Sequence, residues 1–140
     1  MNIDSIQNGY VIDHIRAGRS MEIYHYLKLD ALDCSVAIIK NAKSQHMGKK
    51  DIIKIDQEIP LDLELLGYID PGITVNTIRD GKLLEKKKPQ MPDRVVNVMH
   101  CKNPRCITQA EQELDQVFVL ADREKQIYRC FYCEAKYEKE

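Results

Sequence analysis

The sequence predicts an α+β domain followed by a small all-β module, and three observations carry that expectation. From Gly9 to Lys86 the apolar residues switch repeatedly between two-residue and helical spacing. Lys86-Lys87-Lys88-Pro89-Gln90-Met91-Pro92 then interrupts the pattern with three charges and two prolines, the composition of a boundary between modules. Beyond that break, four of the five cysteines form two close pairs, Cys101 with Cys106 and Cys130 with Cys133. The domains are therefore expected at 1–92 and 93–140. A chain of 140 residues and 16.3 kDa suits one small domain plus a second that needs a staple.

Gly9 to Ile15 reads as the first strand, with the apolar stretch around Ile3 and Ile6 as an extension of the same sheet, and Ala17-Gly18 ends it. Met21, Ile23, Tyr24 and Leu27 recur at helical spacing, which predicts an amphipathic helix over 19–29 packed on the sheet. Cys34 to Ile39 and Asp51 to Ile55 are β-branched runs too short for helices, joined by a polar loop from Asn41 to Lys50. Leu61, Leu65 and Leu66 predict a short helix stopped by Gly67, and Pro71-Gly72 a turn. Ile73 to Ile78 alternates strictly, Asp80-Gly81 fits a two-residue hairpin turn with positive φ, and Lys82 to Lys86 pairs back. Strand, helix, strand, strand, helix, strand, plus a hairpin extension, is the βαββαβ order of ferredoxin-like domains. In the second module, Arg94–His100, Val117–Leu120, Gln126–Cys130 and Ala135–Glu138 are short strand candidates separated by polar turns, as in a zinc ribbon.

Charge narrows the function. The net charge is -1; residues 1–92 hold 13 basic and 13 acidic side chains and residues 93–140 hold 8 and 9. Neither part offers the excess of Lys and Arg that phosphate neutralisation requires, which argues against nucleic acid as a partner. No apolar run approaches the ~20 residues of a membrane span, and Met1-Asn2-Ile3-Asp4-Ser5 has no basic stretch or apolar core of an export signal. The expected compartment is the cytoplasm, where thiols stay reduced and clustered cysteines bind metal rather than pair as disulfides.

Cys101-x4-Cys106 and Cys130-x2-Cys133 each offer two thiolates to one ion, and zinc suits four sulfurs in a tetrahedron. Such a site has no vacant position, so it is structural. Four reduced, metal-free cysteines and an iron-sulfur cluster are the competing readings; the paired spacing disfavours the first, and the absence of an acidic or aromatic docking face the second. His100, next to Cys101, reads as a strand residue. No nucleophile pairs locally with a histidine and an acid, and Cys34 lies in an apolar run as a core residue, so a thiol enzyme built on it is a weak rival. Asp13 and His14 suit an ordinary structural hydrogen bond. Lys50, Lys54, Lys82 and Lys86 would make a cationic pocket for a polyphosphate if they converge; the plainer reading is a solvated face. There is no glycine-rich phosphate loop.

Val11-Ile12-Asp13-His14-Ile15, Met47-Gly48-Lys49-Lys50-Asp51-Ile52-Ile53-Lys54-Ile55, Thr74-Val75-Asn76-Thr77-Ile78 and the two cysteine pairs, in that order, resemble the regulatory chain of aspartate carbamoyltransferase. The resemblance spans nearly the whole chain. It implies a non-catalytic subunit that controls pyrimidine biosynthesis, with an allosteric nucleotide-binding domain and a zinc domain docked on the catalytic chain. The implied effectors are CTP and ATP, with UTP and Mg2+ as a further pair, and the implied assembly joins homodimers of regulatory chains to catalytic trimers. Asp13 and Lys86 match positions at the base and ribose, His14 and the backbone beside Lys82 lie near the phosphates, and Lys50 and Lys54 near ribose and phosphates. Ile6, Val11, Asn76, Ile78 and Leu83 match pocket-lining positions. Asn103 and Glu134 match positions facing the catalytic chain. Gly81 stands where better-known members carry an aromatic residue, Ser5 replaces a small apolar one, and Arg105 and Ala135 depart from the familiar polar pattern. The alternative from another class, a stand-alone zinc-ribbon nucleic-acid binder, is permitted by the cysteines and opposed by the charge.

Overall fold

A computed structural model describes residues 6–137 and divides the chain into two compact units, Met1–Gln90 and Met91–Glu140. The expectations for Ile3, Ser5 and Glu138 lie outside the described residues. In the first unit β1 (Gly9–Arg16), α1 (Ser20–Tyr26), β2 (Val36–Ser44), β3 (Gly48–Ile55), α2 (Leu63–Ile69), β4 (Thr74–Arg79) and β5 (Lys82–Lys87) follow in order. The strands form one antiparallel sheet in the order β2-β3-β1-β4-β5. That is the ferredoxin-like arrangement with β5 added at one edge. Ile12, paired with Ile53 and Val75, buries its side chain on one sheet face together with Ile15 and Ile55. Ile23 of α1 and Leu66 and Ile69 of α2 are equally buried. The Arg19 guanidinium ties the helices by donating to the Ile69 carbonyl at 3.1 Å.

Three local expectations are corrected. The polar loop from Asn41 to Lys50 is instead the distal half of a hairpin, in which β2 runs on to Ser44 and β3 starts at Gly48. Its residues are mostly solvated, so they show no apolar alternation. The first helix ends at Tyr26 because Lys28 turns left-handed (φ 54) and a 3-10 turn, Leu29–Ala31, follows. Gly67 lies inside α2 and does not stop it: a Cβ there would overlap the backbone carbonyl of Gln90, so glycine is required by close approach. Asp62 starts this helix by accepting the Leu65 N–H at 3.0 Å. The Asp80-Gly81 turn has positive φ at both residues (54 and 74), as the sequence predicted.

Asp51 organises the middle of the sheet. Its side chain is fully buried, and its carboxylate accepts from the Ser20 hydroxyl at 2.6 Å and from the backbone N–H groups of Asn41 (3.0 Å), Gly18 (3.1 Å) and Ser20 (3.4 Å). Burial raises the carboxyl pKa, but those donors outweigh it and hold the group below its ordinary value. Irregularities in both neighbours of β3, between Ile12 and Ile15 in β1 and between Ile39 and Ala42 in β2, flank this residue.

The second unit contains β6 (Arg94–Val96), α3 (Ile107–Ala110), β7 (Val117–Asp122) and β8 (Ile127–Cys130), with sheet order β6-β7-β8. Val95, Phe118 and Tyr128 form its small core, and the Tyr128 hydroxyl donates to the Pro92 carbonyl at 2.7 Å. Here β6 stops well before His100 because Asn97 is left-handed (φ 58), and the strand expected at Ala135 reduces to one bridge between Arg129 and Lys136. Among the described residues no helix is long and apolar enough to cross a membrane.

Candidate functional site

Two turns bring the four cysteines together. Cys101 follows β6, its N–H donating to the Gln116 side chain at 2.9 Å while its carbonyl accepts from the Gln109 amide. Cys106 caps α3, and its N–H donates to the Asn103 carbonyl at 3.0 Å. Cys130 ends β8, and Cys133 lies in the turn beyond it, closed by the Glu134 N–H on the Cys130 carbonyl at 2.8 Å. That turn puts Glu134 in the left-handed region (φ 64). All four sulfurs lie within 4.8 Å of one another, with Cys101 to Cys133 at 3.6 Å and Cys106 to Cys130 at 3.7 Å. An ion at ~2.3 Å from each sulfur of a tetrahedron sets their separation at about 3.8 Å.

The electrostatics also ask for a cation. Burial pushes the Cys101 thiol up to about 12 and raises Cys130 as well. At Cys133 burial also raises the pKa, but the Ala135 N–H and the Asn103 side chain outweigh it and bring the thiol down to about 7. Three of these cysteines are buried, where thiolates without a positive partner are costly. The four cysteines could hold a metal ion, and a closed S4 set leaves no place for a reacting water. Asn103 and Glu134 sit on the two opposed cysteine turns, and the Asn103 side chain reaches across to Cys133.

The second candidate lies on the sheet face away from the helices. Val11 pairs with both Lys54 and Asn76, Asn76 with Lys86, Asp13 with Thr74, and Ile78 with Leu83, and residues directly opposite point to the same side. Lys50 joins them by an ion pair to Asp13 at 2.9 Å. Burial raises the Asp13 carboxyl, but Lys50 and the His14 N–H more than compensate and lower it from its ordinary value. His14 occupies the bulge at φ 60, with Nδ1 3.2 Å from the Thr74 hydroxyl, and the Asn76 amide donates to the Val11 carbonyl at 3.2 Å. Lys54 and Lys86 have no carboxylate partner among the described residues. Lys82 pairs with Arg79, which places it on the opposite face from Asn76 and Ile78, so the four lysines do not all converge. Ile6 is buried but precedes β1, outside the strand ladder, and Leu83 is largely exposed.

Thr74 and Asp51 were missed by sequence reasoning. Thr74 sits in an alternating strand like any other threonine, and Asp51 looked like a polar start to an apolar run. Its signal was an acid immediately before Ile52-Ile53, at the start of a run that becomes buried.

Family comparison covers both units. The family model for the allosteric domain of the aspartate carbamoyltransferase regulatory chain matches residues 1–90, and that for its metal binding domain matches residues 93–140. A chain from Clostridium tetani named aspartate carbamoyltransferase regulatory chain is 48% identical over 139 residues, 99% of this chain and 96% of that one. Chains of the same name from Bifidobacterium longum and Clostridium botulinum are 46% identical over 134 residues and 47% over 137, covering 96% and 98% of this chain and 96% and 94% of their own length.

Proposed function

The chain belongs to the family of aspartate carbamoyltransferase regulatory chains, and from that premise we propose that it binds CTP and ATP on the open face of its first unit and one structural zinc ion in its second. It is a regulatory chain and carries no part of the carbamoyl transfer. The observation that supports the nucleotide reading best is the pairing register, which sets Lys54 and Lys86, two cations with no carboxylate partner among the described residues, beside a patch made of Val11, Asn76 and Ile78. Apolar side chains can take the base while Lys86 meets the base and ribose and Lys54 the ribose and phosphates. Asp13 is kept charged by Lys50 and available to a ribose hydroxyl or an exocyclic amine. His14, fixed by Thr74 and next to Asp13 on β1, is assigned to the phosphates. UTP with Mg2+ belongs to the same proposal as a further effector.

A zinc ion held by Cys101, Cys106, Cys130 and Cys133 supplies a cross-link, not a reaction centre. The two cysteine turns then present Asn103 and Glu134 on one surface, which we assign to the catalytic chain. In the cytosol the thiols would remain reduced and available to the metal. A homodimer would use the outer edge of β2, a nine-residue strand paired among the described residues with β3 alone. A nucleotide then shifts the activity of attached catalytic trimers by its differential affinity for two states, typically ~1–3 kcal/mol.

Calorimetric titration of the zinc-loaded chain with CTP and with ATP tests this. Mutually exclusive binding of the two, abolished or strongly weakened in Asp13→Ala, is expected. Binding that survives Asp13→Ala unchanged would move the site elsewhere.

A further inference from the structure

Each thiolate of a four-cysteine site needs donors besides the metal, since a sulfur bearing full charge in a buried setting is poorly solvated. Three of the four receive theirs from the backbone two residues on. The Asn103 N–H serves Cys101, the Tyr132 N–H serves Cys130 together with that of Cys133, and the Ala135 N–H serves Cys133. At the same offset from Cys106 stands Thr108, whose hydroxyl donates to the Cys106 sulfur at 3.1 Å. The Thr108 side chain is buried, only 4% exposed, at the start of α3. A backbone donor survives any substitution except proline; a hydroxyl does not.

We propose that the Thr108 hydroxyl is a positioning group for the metal centre, holding the Cys106 thiolate as a ligand and setting how tightly and how long the ion is retained. The proposal rests on the zinc reading above. Its basis is geometric: a buried O–H with the Cys106 sulfur in reach, on the second residue of the helix capped by that same cysteine. The hydrogen bond draws charge from the sulfur and occupies a lone pair through which a proton or competing electrophile would otherwise detach it. Partners of metal ligands typically change affinity by about 10- to 100-fold when removed.

The test compares the full chain with Thr108→Val, which keeps the shape and deletes the hydroxyl, and Thr108→Ser, which keeps the hydroxyl. Zinc affinity is read by competition with a chromogenic chelator, and the cobalt-substituted chains are read by their sulfur-to-metal charge-transfer absorption. In Thr108→Val, zinc affinity should fall by about tenfold or more, transfer to the chelator should accelerate, and the charge-transfer band should move to lower energy as the sulfur becomes more electron-rich. Thr108→Ser should restore all three. Equal affinity and an unmoved band in Thr108→Val would overturn the proposal, as would a Thr108→Ser chain that fails equally, since the methyl group would then be the group that matters. A wild-type chain that bound neither metal would overturn the zinc reading itself, an outcome distinct from both.

Discussion

Replacing Asp51 should destabilise the first unit more than any surface charge change, and the size follows from its partners. The wild-type carboxylate satisfies three backbone N–H groups and one hydroxyl at a fully buried position. In Asp51→Ala the Ser20 hydroxyl can rotate and the N–H groups of Gly18 and Asn41, on exposed residues, can turn to water, but the buried Ser20 N–H is left unmade, and a buried donor left unmade costs about 1–3 kcal/mol. The expected loss is therefore about 1–3 kcal/mol, a large share of a domain stability of roughly 5–15 kcal/mol. Asp51→Asn keeps one accepting oxygen and turns an amide N–H toward donors, so roughly half that loss is expected. The pH dependence has a definite sign. Because the folded carboxyl pKa is lowered, its contribution is fully present above the unfolded value of about 3.9 and disappears as pH falls through the folded value. Urea titrations followed by circular dichroism at pH 7, 4 and 3 should show the gap between wild type and Asp51→Asn narrowing in acid. Equal stability at pH 7, or a gap that does not narrow, would refute the reasoning. Hydrogen exchange at Gly18, Ser20 and Asn41 should accelerate first.

Gly67→Ala should lower the melting temperature, although alanine is the better helix former by ~1 kcal/mol, because overlap with the Gln90 carbonyl costs about 1–3 kcal/mol or more; a raised melting temperature would contradict the close approach. Lys54→Met and Lys86→Met should each weaken triphosphate binding by about ten- to a hundredfold, the worth of one charge-assisted hydrogen bond of ~1.5–3 kcal/mol. Arg79→Met, which loses an exposed ion pair to Glu58, should leave calorimetric affinity unchanged and so serves as the control. Chelation should unfold Met91–Glu140 while the amides of β1 and β3 stay protected from exchange, since the second unit has few large buried side chains apart from Phe118 and Tyr128. Retention of native near-ultraviolet dichroism from both units after complete metal removal would disprove that dependence.

The order of elements was readable because Val11 to Ile15, Ile52 to Ile55 and Ile73 to Ile78 are half-buried strands whose alternation is enforced by a one-sided core. Where the sheet outgrows its helices the pattern vanishes: Lys40, Asn41 and Lys43 belong to β2 but face solvent, so their strand character comes only from backbone pairing with β3. Gly67 was misread for a different reason. A glycine after leucines signals a helix end when the local chain decides, whereas here a segment more than twenty residues later decides, by lying against it. Close spacing exposed the cysteine cluster directly. The residues proposed to face a nucleotide were spread over four strands, and only the resemblance to a family connected Asp13 with Lys86 before the register placed them on one sheet face.

The β5 strand illustrates what such distant contacts do. Every one of its six residues is exposed, so burial contributes little to keeping it on the sheet edge. Yet the turn that precedes it is fastened to the start of the chain, with the Gly81 N–H on the Gln7 carbonyl at 2.9 Å and the Asp80 N–H on the Asn8 side chain at 3.1 Å, while the segment that leaves it is seated at Gly67. A ribbon clasped at both ends cannot peel from a tip. Its excursions from the sheet require one clasp to open first, so amide exchange along β5 should be level instead of graded, with a common rate set by the weaker clasp.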